Sequence, residues 1–183
     1  MEIETDRLLL KEINESHIDD ILKIRSNEMI NQYVKRNSPK NNYDALEFIL
    51  HIRKKTQDKE MIFWGISDKG QQNLIGTICL WNFSQDRKTA EIGYELLPEY
   101  HRMGVMTEAL RSVLQYGFTI LNLQEVLAFT DKNNKNSQRL LIKGGFVLQE
   151  TKDNGEKNEN LLFMLKNERM KNERIKEVLL CKT

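Results

Sequence analysis

Residues 91–109 read EIGYELLPEYHRMGVMTEA, and they decide the fold expected for the rest of the chain. The first half alternates polar and apolar residues as a strand does, and the second half opens a helix. Gly104 is the only glycine in the connection between the two halves. A helix that starts after such a connection points backbone N–H groups outward, and the partial positive charge there suits a phosphate or pyrophosphate. The sequence therefore predicts an anion site at the start of this helix.

The strand half carries two carboxylates on one face. Glu91, Gly93, Glu95 and Leu97 share that face because successive side chains of a strand point to opposite sides. We interpret the pair as an acid–base cleft beside the anion site. The alternative is two solvated glutamates on an exposed sheet face.

The composition is that of an ordinary globular domain. The 183 residues are 39% hydrophobic and 30% charged, which is enough for one domain with a sizeable core. Lys+Arg is 28 against Asp+Glu 27, so the net charge of +1 argues against a nucleic-acid or membrane-surface partner. Cys79 and Cys181 show no metal-ligand spacing, and no stretch is apolar enough to be a signal peptide or to span a bilayer. We therefore expect a cytoplasmic protein without a metal.

Strands and helices alternate in an order typical of a single α/β domain. Antiparallel strands come first, and the later strand–helix–strand–helix–strand order favours a mixed sheet. Residues 167–183 predict a helical appendage to a domain of residues 1–166, with a solvated tail as the alternative. The predicted strands are 3–11, 61–67, 74–83, 88–97, 125–130, 146–151 and 161–165. A first helix is predicted to begin near Asn14 or Ser16, and three more to cover 45–52, 106–121 and 134–143.

The anion site matches neither of two common phosphate-binding motifs, because no Gly-Lys-Ser/Thr follows Gly104 and no GxGxxG occurs. The residues instead resemble motif A of the GNAT superfamily of N-acetyltransferases, Q/R-x-x-G-x-G/A, which grips the pyrophosphate of acetyl-CoA. Gly104 matches strictly, whereas His101 replaces Gln/Arg and Met106 replaces the second small residue.

Further phrases resemble the RimJ/RimL branch of that superfamily, the ribosomal-protein alanine N-acetyltransferases. The resemblance extends over residues 3–166, in order along the chain. The matching phrases are Thr5-x-Arg7-Leu8-x-Leu10, Ile75-Gly76, Glu91-Ile92-Gly93-Tyr94, Gly104-x-Met106-Thr107-Glu108-Ala109, Asn134-x-x-Ser137 and Lys143-x-Gly145-Phe146.

This resemblance implies a GNAT fold, in which a mixed, mostly antiparallel sheet flanked by helices splays between the fourth and fifth predicted strands. It implies acetyl-CoA as the cosubstrate. For Thr107 and Asn134 the alternative role is capping the helix that each begins. The implied cofactor-binding residues are Leu96, Leu97, His101, Arg102, Met103, Gly104, Val105, Met106, Thr107, Asn134 and Ser137.

The resemblance also implies direct transfer to an amine, which must first lose its proton. An α-amine titrates near pH ~8 and a lysine near ~10, so a carboxylate in the cleft is needed as the base. Glu91 occupies the place of the superfamily's base, and Glu95 is its rival. Many members use a tyrosine to protonate the departing thiolate, but Leu141 stands at that position here. RimJ/RimL relatives use a serine, and Ser137 matches it.

The implied activity is transfer of an acetyl group to a primary amine, with a protein N-terminal α-amine favoured. Small amines, such as a polyamine or an antibiotic, stay open because the acceptor loops are uninformative. A second hypothesis is a non-catalytic acyl-CoA-binding regulatory module. Whether residues 167–183 build a homodimer is also left open.

Overall fold

A computed structural model describes residues 2–149 and 160–167. In this part of the chain eight strands form one sheet in the order β1-β2-β3-β4-β5-β6-β8-β7. All neighbouring strands pair antiparallel except β5 and β6, which pair parallel. The strands are β1 (Ile3–Glu4), β2 (Leu8–Lys11), β3 (Met61–Asp68), β4 (Gly76–Trp81), β5 (Thr89–Leu96), β6 (Glu125–Asp131), β7 (Val147–Leu148) and β8 (Asn160–Lys166).

Helices cover both faces of the sheet and bury two separate cores. Along β3, Trp64 and Ile66 pack with α4 and α5, whereas Met61 and Phe63 pack with α1 and α3. The alternation of strand side chains places these two sets on opposite faces. The helices are α1 (Ile18–Ser26), α2 (Glu28–Asn31), α3 (Asn42–Gln57), α4 (Val105–Thr119) and α5 (Lys135–Lys143), with short 3-10 turns at Glu15–His17 and Pro98–Tyr100.

The expected splay of the sheet is present. The parallel pairing of β5 with β6 covers only Thr89, Ala90 and Glu91, so no strand of the described residues pairs with the remainder of β5 on that side. On its other side β5 pairs with β4 from Glu91 to Leu96. The prediction of a mixed, mostly antiparallel GNAT sheet that opens between β5 and β6 is confirmed.

Some predicted boundaries were wrong. Residues 3–11 form two strands rather than one, because Thr5 N–H donates to the Leu8 carbonyl oxygen and turns the chain back on itself. The central helix begins at Val105, one residue before the predicted start. Most of the predicted C-terminal appendage (168–183) and the predicted turn at Asn154-Gly155 lie outside the described residues.

Candidate active site

The first turn of α4 has backbone N–H groups that bond to no acceptor in the described part of the chain. Gly104 is the N-cap of α4 with φ 79°, a left-handed conformation that glycine adopts without strain, and as an N-cap it makes no side-chain hydrogen bond. The first intrahelical bond of the turn runs from Glu108 N–H to the Gly104 carbonyl oxygen. The N–H groups of Val105, Met106 and Thr107 are therefore free to bind an anion. Capping by the Thr107 side chain, the alternative role, stays a prediction.

Three residues from distant parts of the chain, Thr5, Arg7 and Glu108, form what we call the N-terminal clamp. Glu108 Oε1 accepts from Thr5 Oγ1 at 2.5 Å and from the Arg7 backbone N–H at 3.0 Å. Glu108 Oε2 accepts from Arg7 Nε at 2.7 Å and lies 2.7 Å from Arg7 Nη2. Arg7 Nη1 also donates to the Met103 carbonyl oxygen at 3.1 Å. The clamp thus ties the first hairpin to the loop and to the first turn of α4.

Burial would raise the pKa of Glu108, but the hydrogen bonds from Thr5 and Arg7 outweigh it and hold that pKa below its ordinary value. The clamp therefore contains a carboxylate that stays ionised at neutral pH. A Cβ added at Gly104 would lie 3.4 Å from Arg7 Nη2, so the clamp lies beside the glycine of the loop.

The side chains of the predicted cofactor-binding residues have different surroundings. His101, Arg102 and Met103 are exposed, and the His101 ring Nε2–H donates to the Leu96 carbonyl oxygen at 3.0 Å. Val105, Met106 and Leu96 are buried in the core under α4, and Leu97 is buried in the core on the opposite face. Only backbone groups of these four buried residues can face a ligand.

The open edge of β5 presents backbone groups to the gap in the sheet. Leu97 N–H donates to the Ile75 carbonyl oxygen on the β4 side, while the Lys88 carbonyl oxygen accepts from Gln124 on the β6 side. Because backbone groups alternate between the two neighbours of a strand, Tyr94 directs its N–H and carbonyl to the β6 side. The two strands have already separated there, so these groups can pair with an extended ligand.

Tyr94 and Ser137 meet at the other side of this gap. Their hydroxyl oxygens lie 2.8 Å apart, and burial raises the pKa of Tyr94 to about 12. Ser137 is in the first turn of α5, where its backbone N–H donates to the Asn134 side chain. Asn134 is therefore the N-cap of α5, which is one of the two roles suggested for it. Sequence reasoning quoted Tyr94 within a motif but gave it no role, because its partner is 43 residues away.

The two glutamates of β5 have unlike environments. Glu91 Oε1 accepts from Asn82 Nδ2 at 2.6 Å, and Glu91 lies opposite the half-exposed Trp81 of β4. Between the two glutamates Gly93 leaves a depression because it has no side chain, and a Cβ there would lie 3.3 Å from the Cys79 sulfur. Burial raises the pKa of the Cys79 thiol to about 12, so that floor is uncharged.

Glu95 forms ion pairs with two arginines that sequence reasoning missed. Its side chain is only 14% exposed, so the alternative of two solvated glutamates is wrong for Glu95. Arg36 Nη1 donates to Glu95 Oε1, and Arg25 Nη1 lies 3.5 Å from the same oxygen. The signal in the sequence was the position of Glu95, because a carboxylate that becomes buried needs a cationic partner, but this does not identify the partner.

Both arginines also line a cleft of about 920 Å³ between the end of α1, residues 36–41 and the start of α3. Phe48 of α3 forms part of its wall, with the Arg25 guanidinium carbon 3.7 Å from the centre of the ring. The cleft lies on the face of the sheet that carries Glu91 and Glu95, and we take it as the candidate acceptor cleft.

Comparison with known proteins decides the family. Residues 7–147 match the family model described as acetyltransferase (GNAT) domain. The chain belongs to the GNAT acetyltransferase family. It is therefore an acetyltransferase that uses acetyl-CoA as its donor. The uncapped start of α4 and the open edge of β5 fit an extended molecule with a pyrophosphate at one end.

Relatives of this GNAT domain act on different acceptors. An uncharacterized N-acetyltransferase of Bacillus subtilis, YoaA, is 35% identical over 144 residues, which are 79% of this chain and 81% of YoaA. The spermidine N(1)-acetyltransferase of Escherichia coli is 31% identical over 74 residues, 40% of each chain. The structure of RimL, a ribosomal L7/L12 α-N-protein acetyltransferase in complex with coenzyme A, superposes with a TM-score of 0.78 at 14% identity, covering 91% of this chain and 98% of RimL. This last likeness concerns the fold.

Two other features of the described residues bear on partners of the GNAT domain. No helix there is long and apolar enough to cross a membrane. Within residues 2–149 and 160–167, no three His, Cys, Asp or Glu side chains are grouped as metal ligands would be.

Proposed function

We propose that this GNAT domain transfers the acetyl group of acetyl-CoA to a primary amine by direct attack in a ternary complex. The observation that carries the proposal is the position of β5. It has an open edge and leads into the uncapped start of α4, and Glu95 on its carboxylate face pairs with the two arginines that line the cleft.

Acetyl-CoA supplies an activated thioester. The free N–H groups of Val105, Met106 and Thr107 bind its pyrophosphate, and the exposed Arg102 adds a positive side chain beside them. The Tyr94 backbone N–H, which points into the gap, donates a hydrogen bond to the thioester carbonyl oxygen.

Glu91 is the general base in this proposal. Its carboxylate has one hydrogen bond from the neutral Asn82 side chain and stands beside the depression at Gly93, where an amine can approach. Glu95 is less suited, because its Oε1 is engaged by two guanidinium groups in the wall of the cleft. Glu95 instead holds the wall of the acceptor cleft in place.

Ser137 is the donor to the departing thiolate, with Tyr94 behind it. The Tyr94 hydroxyl stays protonated at neutral pH because its pKa is raised to about 12. With the two hydroxyl oxygens 2.8 Å apart, Tyr94 can donate to Ser137 Oγ, and the serine hydroxyl can then donate a hydrogen bond that stabilises a thiolate in the gap. The acceptor favoured by the RimJ/RimL likeness is a protein N-terminal α-amine, and the spermidine enzyme among the relatives makes a polyamine the second candidate.

The test is a thiol-release assay with acetyl-CoA and amine acceptors, combined with calorimetry of CoA binding. Gly104→Glu should abolish CoA binding, because it places a negative charge and a strained residue in the loop. Gly70→Glu is the matched control: Gly70 also has φ 79° but lies in the β3–β4 turn with open space around it. Glu91→Gln should lower kcat and leave the CoA affinity unchanged. CoA binding by Gly104→Glu at the wild-type affinity would overturn the loop assignment.

A further inference from the structure

Arg25 has donors that no group of the described chain fills. Its guanidinium lies over the Phe48 ring, and its one ion pair, to Glu95, spans 3.5 Å. Arg36 beside it is saturated by comparison, since it donates to the Asn31 side chain, to Glu95 and to the Arg25 carbonyl oxygen. A planar guanidinium held against a ring with free N–H groups is arranged to bind a bidentate oxyanion.

The charges around Arg25 leave an excess of positive charge. Two guanidiniums share one carboxylate, and the side chains of Arg25 and Arg36 are only 16% and 11% exposed. Burial lowers the pKa of Arg25, although Glu95 opposes that shift. A buried charge of this kind is stabilised by a further anion.

The other charged groups of the cleft do not cancel this excess at Arg25. Asp44 and Glu47 of α3 also line the cleft, but neither is among the charged groups that act on Arg25, which are Glu95 and Arg36. The Lys40 side chain adds a third cation to the same lining.

We propose that Arg25 is a specificity-determining residue that binds an oxyanion group of the amine acceptor, a carboxylate or a phosphate. This inference rests on the proposed function, because it assigns the cleft to the acceptor. Glu95 is one strand repeat, roughly 7 Å, from Gly93 and two repeats, roughly 14 Å, from Glu91, so an acceptor with its anion on Arg25 extends its amine along β5 toward Glu91. A polycation such as spermidine places positive charge against the arginines and is a poor acceptor.

The experiment compares matched acceptors that differ in one charge. The carboxylate pair is the tripeptide amides Ala-Asp-Ala and Ala-Asn-Ala, and the phosphate pair is 2-aminoethyl phosphate and ethanolamine, with spermidine as the cationic member. For each enzyme the ratio of kcat/KM between the charged and neutral members is measured, because a folding defect lowers both rates and cancels in the ratio. The variants are Arg25→Gln and Arg25→Lys. The control is Arg53→Gln, whose arginine pairs with Glu15 outside the cleft.

We expect wild type and Arg53→Gln to prefer the anionic member of at least one pair by roughly 10- to 100-fold, the effect of one hydrogen bond to a charged group. Arg25→Gln should bring the ratio close to one, and Arg25→Lys should keep part of it. The pair of acceptors with the larger ratio shows whether Arg25 binds a carboxylate or a phosphate. A preference that survives in Arg25→Gln, equal use of both members by wild type, or a preference for spermidine would each overturn the inference.

Calorimetry on the CoA complex separates this inference from the proposed transfer. Arg25-dependent binding of an anionic amine without any turnover would support the inference and contradict the proposed reaction. Turnover of neutral and anionic amines alike would support the reaction and contradict the inference. If CoA binds but no acceptor of the panel binds or reacts, the inference is overturned.

Discussion

The N-terminal clamp gives the sharpest quantitative prediction, for the substitution Glu108→Gln. The glutamate accepts four contacts, two on each oxygen, from Thr5 and Arg7. Glutamine keeps the shape but has one acceptor oxygen, and its NH₂ group must face either the Arg7 guanidinium or the Thr5 hydroxyl and Arg7 N–H. Contacts are lost whichever way the amide turns, because all the Arg7 groups are donors and only the Thr5 hydroxyl can accept from the NH₂.

The size of the effect follows from the exposure of the partners. A hydrogen bond to a charged group contributes about 1.5–3 kcal/mol. The Arg7 side chain is 53% exposed and that of Glu108 20%, so solvent screening places the loss near the lower end, about 2 kcal/mol. For a chain of 183 residues this corresponds to a fall in the melting temperature of roughly 4–8 °C.

The clamp should also affect binding of the donor, because Arg7 Nη1 holds the Met103 carbonyl oxygen next to Gly104. We expect Glu108→Gln to raise the KM for acetyl-CoA about tenfold while kcat changes less than twofold, since a less ordered loop loses binding energy and leaves the reacting groups in place. Thermal unfolding and thiol-release kinetics measure the two effects. Glu125→Gln, which breaks an exposed ion pair with Lys166 on β6 and β8, is the control.

A fall in melting temperature with an unchanged KM for acetyl-CoA would refute the reasoning. It would show that the three residues hold the hairpin to α4 without ordering the loop. A fall in kcat with unchanged KM would also contradict it, because Glu108 would then act on the reacting groups.

Three further predictions concern β5 and the pH dependence of the clamp. Glu95→Gln should destabilise the fold by about 3 kcal/mol, because it leaves two arginines without their carboxylate. Glu91→Gln should instead lower kcat at an unchanged melting temperature. If Glu91→Gln lowered the melting temperature and Glu95→Gln lowered kcat, the roles of the two glutamates would be exchanged. Tyr94→Phe should lower kcat and change the KM for acetyl-CoA less. In an ultraviolet titration the variant should lack the tyrosine that ionises near pH 12 in the wild type, whereas loss of a tyrosine that titrates near pH 10 would contradict the burial of Tyr94. The pKa of Glu108 is lower in the folded than in the unfolded protein. Its contribution to stability should therefore be complete above the unfolded pKa of about 4.3 and disappear as the pH falls through the folded pKa. The free energies of unfolding of wild type and Glu108→Gln, measured with a chemical denaturant, should converge in acid.

Much of the fold was predictable because its signals are local. The alternation of residues 91–97, the glycine at position 104 and the apolar stripe of α4 each depend on neighbours within a few residues, and the structure has the expected strand, loop and helix. The opening of the sheet could be predicted only through the family resemblance, since the end of the parallel pairing at Glu91 leaves no local mark in either strand.

The contacts that define the site were not predictable in the same way. Thr5 and Arg7 were recognised as a motif, but their partner Glu108 is about a hundred residues away in sequence. Arg25 and Arg36 come from a helix and an irregular loop, and they reach Glu95 only because α1 packs on that face of the sheet. Alternation showed which face Glu95 occupies, yet the cations opposite it are set by packing between elements.

A single strand connects the three parts of the proposed reaction. One face of β5 presents Glu91 to the acceptor side, the other face directs Tyr94 to Ser137, and the edge left open by β6 faces the donor. Side chains alternate with a period of two, so a shift of β5 by one residue would move both glutamates into the core under α4 and the tyrosine into the acceptor cleft. The observed register requires the glycine at position 76, because a Cβ in its place would come within 2.4 Å of the Glu95 carbonyl oxygen. The register of β4 on β5 is therefore a condition of the chemistry as well as of the fold.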